Sequence, residues 1–333
     1  MSRLTIRDIA QEAGVSPGAV SFALNGKPGV SEATRTRIIN IANDLGWQPD
    51  PAAKALSLRK TDALGIVLTR PPQTVRDEGF YFPFLCGLAE VFAESSRPLV
   101  FRLAQTIAQE VEIYKQWASN HRVGGVVLVD LKDNDPRPQI VKDLGLASVS
   151  VGHDQGAGSS ISVDDALAMH AVVNHVFAQG FRFPAYVSGI ETFTHTTVRK
   201  QAFLDKARDL GLEQAYAFNS DYTEDSGAAI TRMIVERHPE VDVIIYDNEM
   251  LTLGGVNYLL SQGKAIPADV GVFSWEDSVL CRVFSPSIST LSRDPEALGR
   301  ASAQVLIDAM DSGEDQHRVM PSPQVVQRAT TSV

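Results

Sequence analysis

Apolar positions in the first fifty residues recur three and four apart. Ile6, Ile9, Ala10 and Ala13 form one set, Val20, Ala23 and Leu24 a second, and Ile38, Ile41, Ala42 and Leu45 a third. That is the period of a helix with one buried face. The punctuation agrees. Thr5 starts the first helix, and Gly14 ends it at a tight turn, where a residue tolerant of positive φ is needed. Ser16 caps the second, with Pro17 in a first turn that requires no amide hydrogen. Asn25-Gly26 ends it. Ser31 caps a third helix from Glu32 to Leu45, closed by Gly46. Two helices joined by a short Gly-containing turn predict a helix-turn-helix, whose second helix enters a major groove with its N-terminal residues on base edges. On spacing alone, a three-helix bundle that binds nothing stays open.

From Ala63 the pattern changes. Apolar runs recur at 63–68, 98–101, 124–129, 147–151, 160–163, 184–188, 241–246 and 269–274. Helical stretches fall between them, at 85–95, 106–120, 165–178, 198–210, 224–237, 250–261 and 296–310. Alternating β and α predicts parallel sheets with helices on both faces. The roughly 270 residues involved exceed one such sheet, so two subdomains are expected. Residues 50–60, D-P-A-A-K-A-L-S-L-R-K, join the two regions. Pro51 suits a helix start, and Ala52 to Leu56 are strong helix formers. About eight residues are too few for a stable isolated helix, so a conditional one is expected. An Ala-rich linker with Leu56 tucked onto the core is the alternative.

Charge sharpens the division. The 333 residues carry 30 Lys/Arg and 40 Asp/Glu, a net −10 that by itself speaks against nucleic acid. Residues 1–60, however, hold eight basic and five acidic side chains, against 22 and 35 in the rest. The two ends do different electrostatic work. The N-terminus lacks the apolar core of a secretory signal, and no stretch approaches the 18 apolar residues of a membrane span. Cys86 and Cys281 read as reduced, mostly buried thiols, and the seven His show no metal-ligand spacing. A cytoplasmic protein without metal or cofactor, and without a membrane partner, is expected.

T-I-R-D-I-A-Q-E-A-G-V-S-P-G-A-V-S-F-A-L-N (5–25), V-S-E-A-T-R-T-R-I (30–38) and D-P-A-A-K-A-L (50–56) resemble the signature of the lactose-repressor/galactose-repressor (LacI/GalR) family. The resemblance continues through the rest of the chain. It implies a helix-turn-helix head (1–49), a hinge (50–61) and a periplasmic-binding-protein-like core (62–333). The core would comprise an N-subdomain of about 62–161 and 292–320 and a C-subdomain of about 162–291 and 321–333. The chain would cross between them near 161–164, 288–294 and 318–322.

By the same resemblance, Ser16, Pro17, Gly18, Ser21 and Phe22 face bases. Thr5, Asn25, Lys27, Thr34 and Arg35 are candidates for the DNA backbone, although a solvated helix face is an equal reading for Arg35. Phe22 departs from the Arg of many members. Arg would pair bidentately with guanine, whereas Phe offers only apolar contact, for example with a thymine methyl. A different operator follows. Paired hinge helices, with Lys54 and Leu56, would insert Leu56 into the minor groove as an apolar wedge.

In open α/β sheets ligands bind beyond the carboxyl ends of the strands. The resemblance places there Phe80 and Tyr81, ahead of the first core helix, together with Arg199 and Tyr222. Asn248 and Glu249 stand in N-E-M-L-T-L-G (248–254), where the family has N-D-x-x-A-x-G. Glu276 stands in S-W-E-D (274–277), where it has G-F-D-D. Thr69 and His153 are weaker candidates. Asp164 and Asp165 read as helix caps. Aromatic faces with carboxylate, amide and guanidinium groups suit a sugar or oligosaccharide, and a purine or other polar metabolite fits nearly as well.

No G-x-S-x-G, P-loop or G-x-G-x-x-G in strand context is present, so an enzyme is not expected. The expected function is a homodimeric transcriptional regulator on a pseudo-palindromic operator, with half-sites roughly 10 bp apart. It would act as a repressor answering to a small effector. A partner protein, a corepressor or an activating role remains an alternative, and an exported solute-binding protein a distant one. The C-terminus has no leucine heptad, so a tetramerising coiled coil is not expected.

Overall fold

The computed structural model describes residues 4–24, 26, 28–47, 62–212 and 214–332. The chain forms two compact units, 1–60 and 61–333.

In the first unit, α1 (Ile6–Ala13), α2 (Pro17–Leu24) and α3 (Glu32–Asp44) close on Ile9, Ala10, Ala13, Val20, Ala23, Ile38 and Ala42. Local chemistry sets each helix end. Thr5 and Asp8 form a reciprocal capping box, with the Thr5 amide donating to Asp8 at 2.7 Å. Gly14 takes φ +63° and returns its amide to the last turn of α1. The Ser16 hydroxyl accepts from the Ala19 amide, and that of Ser31 from Thr34. The Arg35 guanidinium donates to the Ala23 carbonyl at 3.1 Å and to that of Phe22 at 3.4 Å. A cation there complements the negative end of α2.

The second unit holds two sheets, each six-stranded among the described residues. The first contains β1 (Leu64–Leu68), β2 (Leu99–Leu103), β3 (Gly125–Leu128), β4 (Ala147–Val151), β5 (Ser159–Ser162) and β11 (His317–Val319), in the order β11-β5-β4-β3-β1-β2, all parallel. The second contains β6 (Pro184–Ser188), β7 (Tyr216–Asn219), β8 (Val243–Tyr246), β9 (Gly271–Ser274), β10 (Ser289–Leu291) and β12 (Val325–Val326), in the order β12-β10-β9-β8-β6-β7, with only β12 antiparallel. The connecting helices are α4 (Pro72–Asp77), α5 (Tyr81–Glu94), α6 (Ile107–Ser119), α7 (Arg137–Asp143), α8 (Asp165–Ala178), α9 (Thr194–Asp209), α10 (Glu224–Arg237), α11 (Glu249–Ser261), α12 (Val279–Val283) and α13 (Pro295–Ser312).

Strand alternation sends side chains to both faces of each sheet. Ile66 packs with Phe84 and Leu88 of α5 and Leu306 of α13, while Val67 packs with Tyr114 and Trp117 of α6. In the second sheet Ile245 meets Val172 of α8 and Phe203 of α9, and Ile244 meets Ile234 of α10 and Val256 of α11. The two tightest helix pairs rest on glycine. A Cβ on Gly87 would stand 2.1 Å from the Glu296 carbonyl oxygen, and one on Gly254 2.0 Å from that of Glu224. The chain passes between the sheets at 163–164, 292–294 and 320–324.

Three helices and four strands lie outside the periodicity reading: α4, α7 and α12, and β7, β10, β11 and β12. All are short, and β7, β11 and β12 are half-buried or exposed edge strands, so they carry no apolar run. Two starts also move by four residues, those of α5 and of α9, the latter to Thr194 rather than 198. Helix α5 begins at Tyr81 rather than 85, because Pro83 falls in a first turn whose amides have no partner. Helix α4 therefore comes first, and Phe80 and Tyr81 stand at the start of the second core helix.

Candidate functional site

A cavity with room for about 90 Å³ of ligand or solvent lies between the two sheets and is lined from both. Its chemistry comes from residues that follow strands: Arg70 after β1, Asp130 after β3, Asp165 after β5, Asp247 after β8, Glu276 after β9 and Arg293 after β10. Each strand ends in backbone that must turn away from the sheet, so the next side chain faces the crevice.

Arg199 is the centre of one half. Its Nε donates to Asp165 at 2.9 Å, its Nη1 donates to Asp247 at 3.1 Å, and its guanidinium lies 4.5 Å from the Trp275 ring. Asp247 also accepts from the Tyr186 hydroxyl at 2.6 Å and the Tyr222 hydroxyl at 2.7 Å. Tyr222 adopts φ +70°, a conformation rarely taken by a bulky residue. Its ring fits because position 189 is glycine; a Cβ there would lie 1.8 Å from the phenol oxygen.

Arg70 organises the other half. It donates to Glu78 at 2.9 Å, lies 3.7 Å from Asp130, and sits between the rings of Phe193 and Tyr222 at 5.2 and 5.1 Å. The Tyr81 hydroxyl donates to Asp130 at 2.8 Å. Arg293 pairs with Glu276 and lies 5.8 Å from the Phe80 ring. Glu249, on the second sheet's side, accepts the Gly79 amide from the first sheet's side through one oxygen.

Removal from water governs protonation here. Burial, offset by Arg70 and reinforced by Asp130 and Glu249, pushes Glu78 up to about 8. Burial, reinforced by Glu276, pushes Glu249 up to about 7. His195 is held well below the usual imidazole range by burial and by Arg199, Arg293 and Arg70, so it is neutral.

The cavity gathers Phe80, Tyr81, Arg199, Tyr222, Asn248, Glu249 and Glu276 of the residues singled out from sequence. Asn248 also caps α11, accepting from the Leu251 amide at 2.8 Å. Thr69 is not among the lining residues. Its hydroxyl donates to Glu110, which is buried in an ion pair with Arg137 at 2.9 Å. His153 does not line the cavity either, although the neighbouring Gly152 does. Sequence reading missed Arg70, Glu78, Asp130, His195, Asp247 and Arg293. The available signal was a charged residue directly after an apolar run, as in I-V-L-T-R (66–70) and V-V-L-V-D (126–130). The adjacent acids divide: Asp164 caps α8 through the Leu167 amide at 2.8 Å, whereas Asp165 turns to Arg199.

On the head, Ser16, Pro17, Gly18 and Phe22 are exposed and Ser21 is half-buried. Phe22 is 44% exposed despite its size. Thr5 and Thr34 are exposed and half-buried respectively, each with its hydroxyl bonded to a cap partner at 2.8 Å. Arg35 is committed to the end of α2 as described. Asn25, Lys27, Lys54 and Leu56 lie outside the described residues. Among the described residues, no helix is long and apolar enough to cross a membrane.

Comparison with known proteins places this architecture. Residues 5–50 match the family described as bacterial regulatory proteins, lacI family, and residues 173–331 match the periplasmic binding protein-like domain. The chain belongs to the LacI/GalR family. The HTH-type transcriptional regulator CelR of Thermobifida fusca is 27% identical over 92% of each chain. The repressor PurR of Pectobacterium carotovorum is 22% identical over 98% of this chain and 97% of its own. A solved CelR–cellobiose complex superposes with TM-score 0.75 at 25% identity, covering 98% of this chain and 100% of that one. The lac repressor dimer bound to operator and the anti-inducer ONPF gives TM-score 0.84 at 18% identity over the whole of both chains, a likeness of fold. This LacI-family chain is a helix-turn-helix transcriptional regulator with a DNA-binding head and a two-sheet core.

Proposed function

We propose that the protein is a cytoplasmic, homodimeric repressor whose operator affinity is set by a carbohydrate held between the two sheets. The observation that carries this is the convergence, in one cavity, of the Phe80, Tyr81 and Tyr222 rings with Arg199, Asp165 and Asp247. Apolar ring faces stack on sugar carbons, and hydroxyls need paired donors and acceptors. The CelR–cellobiose complex, which shares the fold, supports a sugar over a purine. No constellation for catalysis is invoked; the buried acids act through binding.

The cavity touches both lobes, so a ligand that binds one lobe angle better than another shifts their equilibrium. An effector with equal affinity for both states would change nothing. In the DNA-bound dimer, Ser16, Pro17, Gly18, Ser21 and Phe22 read bases at two half-sites, and Leu56 enters the minor groove. The domain scheme is a head at 1–49, a hinge at 50–61 and a core at 62–333.

The test begins with selection of a binding site from random duplexes by the full chain, followed by anisotropy titration of the selected duplex. A pseudo-palindrome is expected, and a neutral oligosaccharide should release it. Attachment to any duplex alike, with no preferred palindrome, refutes the DNA reading. A specific complex that survives every carbohydrate tested refutes the effector reading.

A further inference from the structure

The charges in the cleft constrain its ligand beyond the carbohydrate reading, on which this inference rests. Among the described residues lining the cavity are three guanidiniums (Arg70, Arg199 and Arg293) and six carboxyl groups. Each guanidinium is already engaged by protein carboxyl groups: Arg70 by Glu78 and Asp130, Arg199 by Asp165 and Asp247, and Arg293 by Glu276. An incoming phosphate or carboxylate would have to displace a carboxylate from one of these pairs. It would find no uncommitted guanidinium among the described lining residues, where three cations are shared among six carboxyl groups.

Glu249 shows the opposite condition. It is 3% exposed and lines the cavity. One of its oxygens accepts the Gly79 amide, while Oε2 is buried without a hydrogen-bond partner among the described residues. A buried carboxyl oxygen left unpaired is costly, and a donor supplied by a ligand removes that cost. Sugar hydroxyls and ammonium groups donate; phosphates and carboxylates do not. Gly79 precedes α5 on one lobe and Glu249 opens α11 on the other, so the same side chain joins the lobes and faces the ligand.

We propose that the cleft takes an uncharged or amine-bearing carbohydrate and rejects phosphorylated and carboxylated ones, with Glu249 reading the ligand on one oxygen and fastening the lobes with the other. Glu249 is thus a specificity-determining residue whose contact with ligand is linked to closure. With Glu249 ionised, above its pKa of about 7, a like charge on the order of 5 Å away, at an effective dielectric near 20, weakens binding by roughly a hundredfold.

The experiment is calorimetry on the full chain, run above pH 8 so that Glu249 and Glu78 are ionised, with matched disaccharides: cellobiose and other neutral members, their 6-phosphates, their uronic acids and their amine-bearing counterparts. Neutral or amine-bearing members should bind, with the anionic counterpart of the best ligand weaker by roughly a hundredfold. An anionic member that binds more tightly than its neutral parent overturns the charge inference and leaves the carbohydrate reading standing. Failure of every member to bind overturns the carbohydrate reading and this inference with it. E249Q keeps an oxygen for the Gly79 amide and removes the charge. It should narrow the neutral-to-anionic ratio at least about tenfold, with thermal unfolding confirming the fold. A folded E249Q with an unchanged ratio removes Glu249 from selectivity. E249A, which deletes the acceptor of the Gly79 amide, tests the fastening: at saturating neutral ligand it should release operator less completely. Unchanged release refutes the coupling.

Discussion

Arg199→Ala gives the sharpest test of how the cleft is held together. Arg199, Asp165 and Asp247 are all at most 5% exposed, so none can recover its hydration when a partner is lost. Removing the guanidinium leaves Asp247 with the hydroxyls of Tyr186 and Tyr222. Asp165 loses the cation 2.9 Å away, and the Trp275 ring loses its cover at 4.5 Å. Breaking a buried pair by deleting one member costs about 3–5 kcal/mol, because the surviving charge stays buried. At roughly 2–4 °C per kcal/mol for a domain of this size, the core should melt roughly 6–20 °C lower. Circular dichroism melts of the wild type and variant measure this directly. Adding Asp165→Asn to the Arg199→Ala chain removes the stranded charge and should recover part of the loss. A melting point within about 2 °C of wild type, or a double variant no more stable than the single one, would refute the reasoning. Because the same residue is proposed to meet the effector, the variant should also lose its response to ligand while retaining operator affinity.

Glu78 sets a pH dependence. Its folded pKa of about 8 lies above the ordinary carboxylate value, so the native state binds the proton more tightly than the unfolded chain. The associated stability is fully present below about 4.5 and is lost as pH rises through about 8. Denaturant titrations should show the wild type losing stability relative to Glu78→Gln across that window; parallel curves would disprove it. Gly254→Ala places a methyl 2.0 Å from the Glu224 carbonyl oxygen, where α10 and α11 meet. Overpacking of this kind costs about 1–3 kcal/mol, and a thermal melt unchanged from wild type would contradict the close approach. Phe22→Arg, on an exposed position of α2, should leave the melt unaltered and shift the selected operator toward guanine at the contacted base. An unchanged selected site would remove Phe22 from base reading.

Local periodicity decided the longer elements, all but three short helices and four short strands. The spacing of Ile9, Val20 and Ile38, with Ser16, Ser31 and Gly14 between them, was enough for the three head helices, because helix caps and faces involve residues three or four apart. The apolar runs likewise marked the buried strands, such as Ala147–Val151 and Pro184–Ser188, and their alternation with helices fixed the parallel architecture. The family signature supplied Arg199 and Glu276, but not the residues that hold them.

Those were decided only in three dimensions. Asp165 and Asp247 lie 34 and 48 positions from Arg199 and meet it because the ends of β5 and β8 open onto one crevice. Sequence could not tell that Asp164 would cap a helix while Asp165 turned inward, since the two differ only in which way the backbone presents them. Nor could it show that Thr69 would be drawn away by Glu110, or that Glu249 would reach Gly79, 170 positions earlier. Secondary structure is written in neighbours along the chain. A site between two lobes is written in long-range contacts, whose distances exist only once both sheets have folded.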